Sequence, residues 1–363
     1  MIGPYGRQWV SPQASLGFSQ RLVQADLLCF KGEHQKALLL YQQDASVNTI
    51  ARRRLSIAKR QLQKARSSHY TGDCLRDLKL GFVDWYHGFE KDIHIILELF
   101  FHANLKPVIS SPEVADILVA GAYGNRLLAD PELSQDKLVI FFTGENISPS
   151  YNIHDFCITT RTRSYCGKNI RYPQWLTDLT FENGKIQLKS YNEDSFAIPE
   201  TRDLLISAVY NNSTPEREEI LSILRSVFGA DNVHIFGSQR SGNVNKLEIL
   251  SRSVINVCFE NSLGEGYVTE KLLHAIALGC KALYWGHSSY LSDFRSENIF
   301  NACQAASIDE LITWCQIQLE TKDNPHPDPA NVDSNIFTKH PRFSFDIRSL
   351  TSWAELILGW RFV

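Results

Sequence analysis

The sequence predicts an α/β protein built from two Rossmann-like domains facing a cleft, with an α-helical extension at the N-terminus. Three observations carry this expectation. Apolar strands alternate with helices from Leu78 onward. The alternation restarts beyond the polar, strand-poor stretch Ser190–Thr201. Before it, Ser19–Arg66 is helical in pattern and has no strand signal. At about 100–200 residues per domain, a chain of 363 residues suits two domains and an appendage.

The elements follow in order. Gly32-Glu-His-Gln-Lys-Ala37 with Tyr41 resembles the middle of one tetratricopeptide unit, and Ala25 falls where its first helix needs a small residue. Such arrays need about three repeats to stand alone, so a helical hairpin packed on the main body is expected here. Ala51–Arg66 reads as a basic helix whose arginines 52, 53 and 54 form a solvated face; an anionic membrane surface or a protein is the alternative partner for residues 1–75. Strands are expected at Leu78–Trp85, Pro107–Ser110, Asp116–Ala120, Lys137–Thr143 and Phe156–Thr160, with an amphipathic helix over Glu90–Ala103. In the second half, strands are expected at Leu204–Tyr210, Val233–Phe236, Val254–Phe259 and Lys281–Trp285. Pro215 opens a helix over Glu216–Phe228, because proline lacks an N–H that the first turn leaves unpaired anyway. Val268–Leu278 is the helix between the last two strands, and Gly279 ends it. Continuous apolar strands between helices indicate parallel sheets covered on both faces. The expected boundaries are 1–75 for the helical extension, 76–195 for the first Rossmann-like domain, 196–340 for the second and 341–363 for a C-terminal helix.

Composition narrows the function. Hydrophobic residues make up 44% and charged residues 21%, with a formal net charge of −3, so no global field draws the chain to nucleic acid. A bound anion must be held by a few placed cations. No secretory leader is expected, because Met1–Phe18 lacks a basic segment followed by an apolar one. The eight cysteines form no C-x-x-C pair, and Cys258 and Cys280 sit in apolar runs as small hydrophobes. A reducing cytoplasm, with the inner face of the membrane as an alternative address, is the expected setting. No Asp-x-Asp triplet is present for a divalent ion, and His326-Pro-Asp-Pro is a poor ligand set, so no essential metal or other cofactor is expected.

Val254–Gly286 carries the chemistry. A strand ends in Phe259-Glu260-Asn261-Ser262, a glycine-containing loop follows, and Tyr267-Val268-Thr269-Glu270-Lys271 opens a helix. Ligands of open α/β sheets sit beyond the carboxyl ends of the strands, so Asn261 and Lys271 flank the expected crevice. A helix start presents unpaired N–H groups and partial positive charge, which suits a diphosphate, and Lys271 adds a full charge. Glu270 is an acceptor suited to sugar hydroxyls; the alternatives are a carboxylate that merely complements the helix dipole and a solvated lysine. Gly264 and Gly266 complete neither a G-x-G-x-x-G nor a Walker loop, which removes support for a dehydrogenase or an ATP site.

Val257-Cys-Phe-Glu-Asn-Ser262 followed by Gly266-Tyr-Val-Thr-Glu-Lys-Leu272 resembles the signature of the family-10 α-1,3/4-fucosyltransferases, and Tyr284-Trp285-Gly286 matches the strand after it. Phe141-Phe-Thr-Gly-Glu-Asn146 with Ser148-Pro149 resembles a second segment of bacterial members, and Asn211–Arg217 resembles the one carrying a phosphate-contacting arginine. The resemblance runs from about Leu78 to Leu319 and leaves the first 75 residues outside it. It implies the GT-B fold, GDP-fucose as donor, a glycan acceptor, and a donor site lined by Arg217, Asn261, Tyr267, Glu270 and Lys271. It also implies Glu145 as catalytic base. Position 147 is isoleucine where many bacterial relatives have a second glutamate, so an alternative alignment would leave this chain without that base. His287 after Trp285-Gly286 is a further departure.

Read as chemistry alone, Glu145 follows the exit of an apolar strand at Gly144, and its alternative role is a turn carboxylate accepting backbone N–H bonds. Arg217 can chelate a phosphate with its planar fork, or can be a surface arginine paired with Glu218 or Glu219. The function expected is inverting transfer of L-fucose from GDP-β-L-fucose to a glycan hydroxyl, giving an α-1,3 or α-1,4 fucoside. The alternatives are transfer from another nucleotide sugar and a non-catalytic glycan- or protein-binding module.

Overall fold

The structure is a computed structural model and describes residues 19–31, 33–45, 50–52, 54–55, 78–88, 96–97, 107–135, 137–192, 196–237, 241–242, 244–321 and 327–341. Of the helix expected over Glu90–Ala103 only Ile96 and Leu97 are described, both helical, and most of 341–363 and of Ala51–Arg66, with Met1–Phe18 and Cys74, lies outside the described residues. Two compact units divide the chain: Met1–Thr143 with Ile147–Arg171 and Asp346–Val363, and Gly144–Asn146 with Tyr172–Phe345.

The first unit begins with the expected helical pair, α1 (Gln20–Phe30) and α2 (His34–Asp44). Ser19 caps α1 by accepting from the Leu22 N–H at 3.1 Å. Ala25 and Ala37 are fully buried where the helices meet, with Leu22, Cys29 and Tyr41 around them. Beneath this pair lies a buried charge cluster centred on Asp26. Its carboxylate accepts from the Tyr41 hydroxyl at 2.7 Å, Arg54 Nη1 at 2.5 Å and the Tyr165 hydroxyl at 3.0 Å, and it pairs with Lys168 Nζ at 3.0 Å. Arg54 Nη2 donates to the Tyr151 carbonyl at 2.9 Å. Arg54 is therefore 2% exposed and not part of a solvated basic face, because its fork bridges the hairpin to Tyr151 of the Rossmann-like part of the same unit. Burial opposes ionisation of Asp26, yet Lys168 and Arg54 outweigh it and hold its carboxyl below the usual range.

The rest of this unit is a six-stranded sheet in the order β2-β1-β3-β4-β5-β6, parallel throughout. The strands are β1 (Leu78–Val83), β2 (Pro107–Ile109), β3 (Ile117–Ala120), β4 (Leu138–Thr143), β5 (Phe156–Thr159) and β6 (Asn169–Arg171). Every residue of β3, β4 and β5 is buried, as their unbroken apolar runs require. β1 stops at Val83, short of Trp85, because Asp84 takes a left-handed φ of 58°.

The second unit holds a five-stranded parallel sheet in the order β10-β9-β11-β12-β13, from β9 (Leu204–Val209), β10 (Val233–Phe236), β11 (Ser253–Phe259), β12 (Lys281–Trp285) and β13 (Ile299–Asn301). Helix α3 (Pro215–Phe228) starts on a Thr214 cap with Pro215 at its first position, as the sequence predicts, and ends at Gly229, φ 90°. Helices α4 (Lys246–Ser251), α5 (Glu270–Ala277) and α6 (Ile308–Thr321) complete the unit. α5 begins two residues later than expected, because Thr269 is its cap and remains extended.

A hairpin of β7 (Leu179–Glu182) and β8 (Lys185–Leu188) precedes β9, turning through Asn183 and Gly184 at φ 51° and 77°. It lies before the polar stretch at 190–201 yet belongs to the second unit. Leu188 N–H donates to the Pro329 carbonyl and Val332 N–H to that of Ile186. Buried Trp175 donates to Asp293 at 3.0 Å and packs on Phe294 and Phe337. These bonds draw Tyr172–Lys189 to residues on both sides of β13, a partnership that local sequence texture does not reveal.

The Asp26 cluster yields a prediction. Asp26→Ala leaves the buried cations of Arg54 and Lys168 without their anion, which costs about 3–5 kcal/mol when one member of a buried pair is removed. Urea denaturation should show a large fall in the unfolding midpoint; a midpoint unchanged from the parent means the cluster does not hold the hairpin in place.

Candidate active site

The candidate site grows from the carboxyl end of β11 and the loop that leads into α5. Glu260 follows β11 and is fully buried. Its Oε1 accepts from the Thr269 N–H at 2.8 Å and its Oε2 from the Thr269 hydroxyl at 2.7 Å. Tyr284 on β12 adds a 3.4 Å hydroxyl contact. Burial pushes the Glu260 carboxyl up, while Lys271 and the two Thr269 donors pull it back down. Thr269, fixed in this way, caps α5 by accepting from Lys271 N–H at 3.4 Å. Glu270 and Lys271 thereby become the first two residues of the helix.

Charge of both signs collects at this helix start. Lys271 Nζ lies 3.6 Å from Glu260 Oε2, 3.9 Å from Glu270 Oε1 and 3.1 Å from Thr269 Oγ1. Lys246, the first residue of α4, reaches Glu270 Oε1 at 3.5 Å. Burial disfavours the Glu270 carboxylate, but Lys246, Lys271 and His274 overcome that and hold its pKa at about 2. Burial lowers the Lys246 ammonium, and Glu270 partly restores it. Lys246 is a site residue that the sequence reading missed. Its one signal is Asn245, a helix cap whose side chain accepts from Leu247 and Glu248 N–H.

Arg217 sits on the first turn of α3 and is 1% exposed. Its Nη1 donates to the Asn212 carbonyl, and its Nη2 to the Phe259 carbonyl at 2.5 Å and Asn261 Oδ1 at 3.4 Å. The guanidinium stacks on Tyr210, 4.6 Å from the ring centroid. Glu218, offered by the sequence as a surface partner, instead accepts from the Tyr210 hydroxyl at 2.6 Å and Ser213 at 2.7 Å. Arg217 thus ties the start of α3 to the end of β11 and brings a buried cation beside exposed Asn261. Burial lowers its pKa.

Residues 144–146 pack within this same unit. Asn146 Nδ2 donates to Ser262 Oγ and to the Leu263 carbonyl, both at 2.9 Å. A side chain at Gly264 would strike Asn146 Oδ1 at 1.9 Å, so this close approach needs glycine. Tyr267, nearly buried, directs its hydroxyl to Glu145 Oε2 at a long 3.5 Å. Burial, and then Glu260 and Glu145, raise the Tyr267 pKa, so it stays a neutral donor. Glu145 itself is exposed, as is Ile147. His287, the sequence departure after Gly286, caps the turn at 288–292 by accepting from Ser289 N–H at 3.1 Å.

The six residues selected from sequence therefore lie in one unit, and contacts link them in pairs: Glu145 with Tyr267, Arg217 with Asn261, and Glu270 with Lys271. The arrangement offers cations at a helix start, an ionised carboxylate for hydroxyl groups, and an exposed carboxylate able to take a proton. Among the described residues, no group of three or more His, Cys, Asp or Glu side chains is placed to hold a metal, and no helix is long and apolar enough to cross a membrane.

Comparison with known proteins points the same way. Residues 80–177 match the family model of the α-(1,3)-fucosyltransferase FucT N-terminal domain. A curated relative, α-(1,3)-fucosyltransferase FucT of Helicobacter pylori, is 28% identical over 223 residues, which is 53% of this chain and 46% of the relative. The match thus spans about half the length of that relative. A solved α1,3-fucosyltransferase with GDP superposes with a TM-score of 0.56 at 20% identity, covering 84% of this chain and 98% of the other. The same comparison with an α1,3-fucosyltransferase structure containing GDP-fucose gives 0.56 at 21% identity, over 81% and 95%. The two parallel sheets are those of the GT-B fold, and this chain is similar to α-1,3-fucosyltransferases in sequence over part of its length and in fold over most of it.

Proposed function

We propose that this chain transfers L-fucose from GDP-β-L-fucose to a hydroxyl of a glycan acceptor, with inversion to an α-1,3 or α-1,4 fucoside and without a metal. The observation that carries the proposal is the grouping of Glu145, Tyr267, Glu270, Lys271 and Lys246 in one unit, around a helix start whose cap is fixed by a buried carboxylate. The relatives named above are α1,3-fucosyltransferases, and two of their structures were solved with GDP or GDP-fucose.

In this reaction the acceptor oxygen attacks C1 of fucose, the C1–O bond to the β-phosphate breaks, and the bonding pair leaves with GDP. Glu145 takes the acceptor proton, and the Tyr267 hydroxyl beside it orients the carboxylate. Lys271, Lys246 and the N–H groups opening α5 offset the charge that grows on the diphosphate, the task a divalent ion performs in other transferases. Arg217, whose nitrogens already bond two carbonyls, adds its field and holds Asn261 in place for the donor. Glu270 accepts from sugar hydroxyls. A cytoplasmic setting belongs to this proposal, in keeping with seven described cysteines that are all free.

Three measurements follow. Glu145→Gln keeps shape but cannot take a proton, so turnover should fall by about 10²–10⁴-fold with donor affinity unchanged. Near-parental turnover would remove Glu145 as base and revive the question posed by Ile147. Lys271→Ala and Lys246→Ala should each weaken GDP-fucose binding in calorimetry by about 1.5–3 kcal/mol, the worth of a charged hydrogen bond. Melting curves of both variants separate this from unfolding, and unaltered affinity in both would reject the diphosphate assignment.

The third concerns Glu270, whose folded pKa of about 2 lies below its ordinary value of 4.5. A depressed carboxyl stabilises the fold fully above the unfolded pKa and loses that contribution as pH falls through the folded one. Carboxyl titration by NMR should therefore show Glu270 ionised at pH 4 and protonating well below it. A midpoint at or above 4.5 would mean that Lys246 and Lys271 do not hold it.

A further inference from the structure

Glu145 is exposed, and its contact with the Tyr267 hydroxyl is long at 3.5 Å, so that bond alone holds the carboxylate weakly. A general base works only if its oxygen is held in place, because a displacement of about 1 Å can cost roughly 10²-fold in rate. The residues on either side of Glu145 supply that footing. A side chain on Gly144 would come within 2.9 Å of Gln174 Cγ, so the backbone there runs close against Gln174. Asn146 reaches the loop between β11 and α5, 116 and 117 residues further along the chain. Its Nδ2 lies 2.9 Å from both Ser262 Oγ and the Leu263 carbonyl. Residues 144–146, 174 and 262–264 all belong to the second unit.

Chemistry fixes the orientation of the Asn146 amide. A carbonyl can only accept, so the NH2 group faces Leu263 and Oδ1 faces the other way. There it lies against Gly264, where the first atom of any side chain would stand 1.9 Å from it. Oδ1 is buried and accepts no hydrogen bond, an arrangement that costs stability and that the two donated bonds hold in place. From Gly264 the circuit returns to the base. The Gly264 carbonyl accepts from Tyr267 N–H at 3.0 Å. Gly266 turns the chain at φ 81° and gives its N–H to Ser289 Oγ at 3.0 Å. The Tyr267 hydroxyl then points to Glu145. The start of α5 does not depend on this circuit, since Glu260 holds its Thr269 cap.

We propose that Asn146 is a positioning residue for the transfer step: its side chain clips the segment bearing Glu145 to the loop before α5, and so sets the base against Tyr267. This role rests on the glycosyl-transfer reading, in which Glu145 takes the acceptor proton. Gly264 is the other half of the clip, because only a residue without Cβ leaves room for the Asn146 amide. Gly264 has no left-handed φ, so its backbone accepts alanine. The three atoms nearest to a Cβ placed there all belong to the Asn146 side chain. Gly264→Ala therefore acts by displacing Asn146, and the same clip can be opened from either end.

The test compares Asn146→Ala, Gly264→Ala and the double variant with the parent, each as the whole protein. Each single variant should lose roughly 10–100-fold in kcat, with GDP-fucose affinity in calorimetry unchanged. The double variant should be no slower than Asn146→Ala, because Asn146→Ala clears the space that Gly264→Ala fills. A merely structural contact would instead lower melting temperature, donor affinity and turnover together, and its losses would add. That additive pattern, or parental kcat in both single variants, overturns the proposal. Amide exchange at Tyr267 gives a readout that needs no catalysis. Its N–H should exchange several-fold faster in each single variant, and no faster in the double than in Asn146→Ala. Exchange that the variants leave unchanged overturns the clip itself. A parent that neither binds nor turns over GDP-fucose, with Tyr267 exchange responding as expected, would instead overturn the fucosyltransferase reading and leave the clip standing.

Discussion

The buried carboxylate of Glu260 is the constraint from which the candidate site follows. A carboxylate without partners in a dry environment costs several kcal/mol, so its surroundings must be arranged around it. Thr269 supplies two donors, Tyr284 a third and Lys271 the countercharge. Meeting those demands fixes Thr269 as the cap of α5 and sets which residues open the helix. Glu270 and Lys271 are presented at the sheet edge because Glu260 is satisfied there. Lys246 closes the pattern from α4, giving Glu270 two cations that hold its carboxyl well below the usual carboxylate range.

A comparable logic operates in the first unit with a different outcome. Asp26 is also buried, and its partners Tyr41, Arg54, Tyr165 and Lys168 come from the hairpin, the residues after it and the Rossmann-like part. Here every member is enclosed and none faces a ligand, so the cluster serves to dock the hairpin. The helical extension, which lies outside the family resemblance, is thereby an integral part of its unit and shares its core: Val23 of α1 packs against the residues that line the first sheet.

Much of the fold is legible in the sequence, and the reason differs by element. β3, β4 and β5 are almost wholly apolar runs, and β11 is interrupted only by Asn256, so they could be little else. Thr214-Pro215 announces α3 through capping chemistry alone. β6 and β13, at three residues each, are too short to show a period. In the site, Asn261, Tyr267, Glu270 and Lys271 stand out through several residue types at fixed spacing. Lys246 does not, because a lysine on a six-residue helix looks like any solvated charge until Glu270 is placed beside it. The burial of Arg54 was equally hidden: its anion lies 28 residues earlier, and the carbonyl it bonds lies 97 residues later. Side chains whose partners are remote in sequence leave no local mark.

The most direct test of the account is the identity of the product. The purified protein should be incubated with GDP-fucose in EDTA against an array of galactose- and N-acetylglucosamine-containing acceptors, and the product's anomeric proton coupling read by NMR. Release of GDP together with an α-linked fucoside on at least one acceptor is expected. A β-linked product, transfer from another nucleotide sugar in preference to GDP-fucose, or turnover that requires added divalent metal would contradict it.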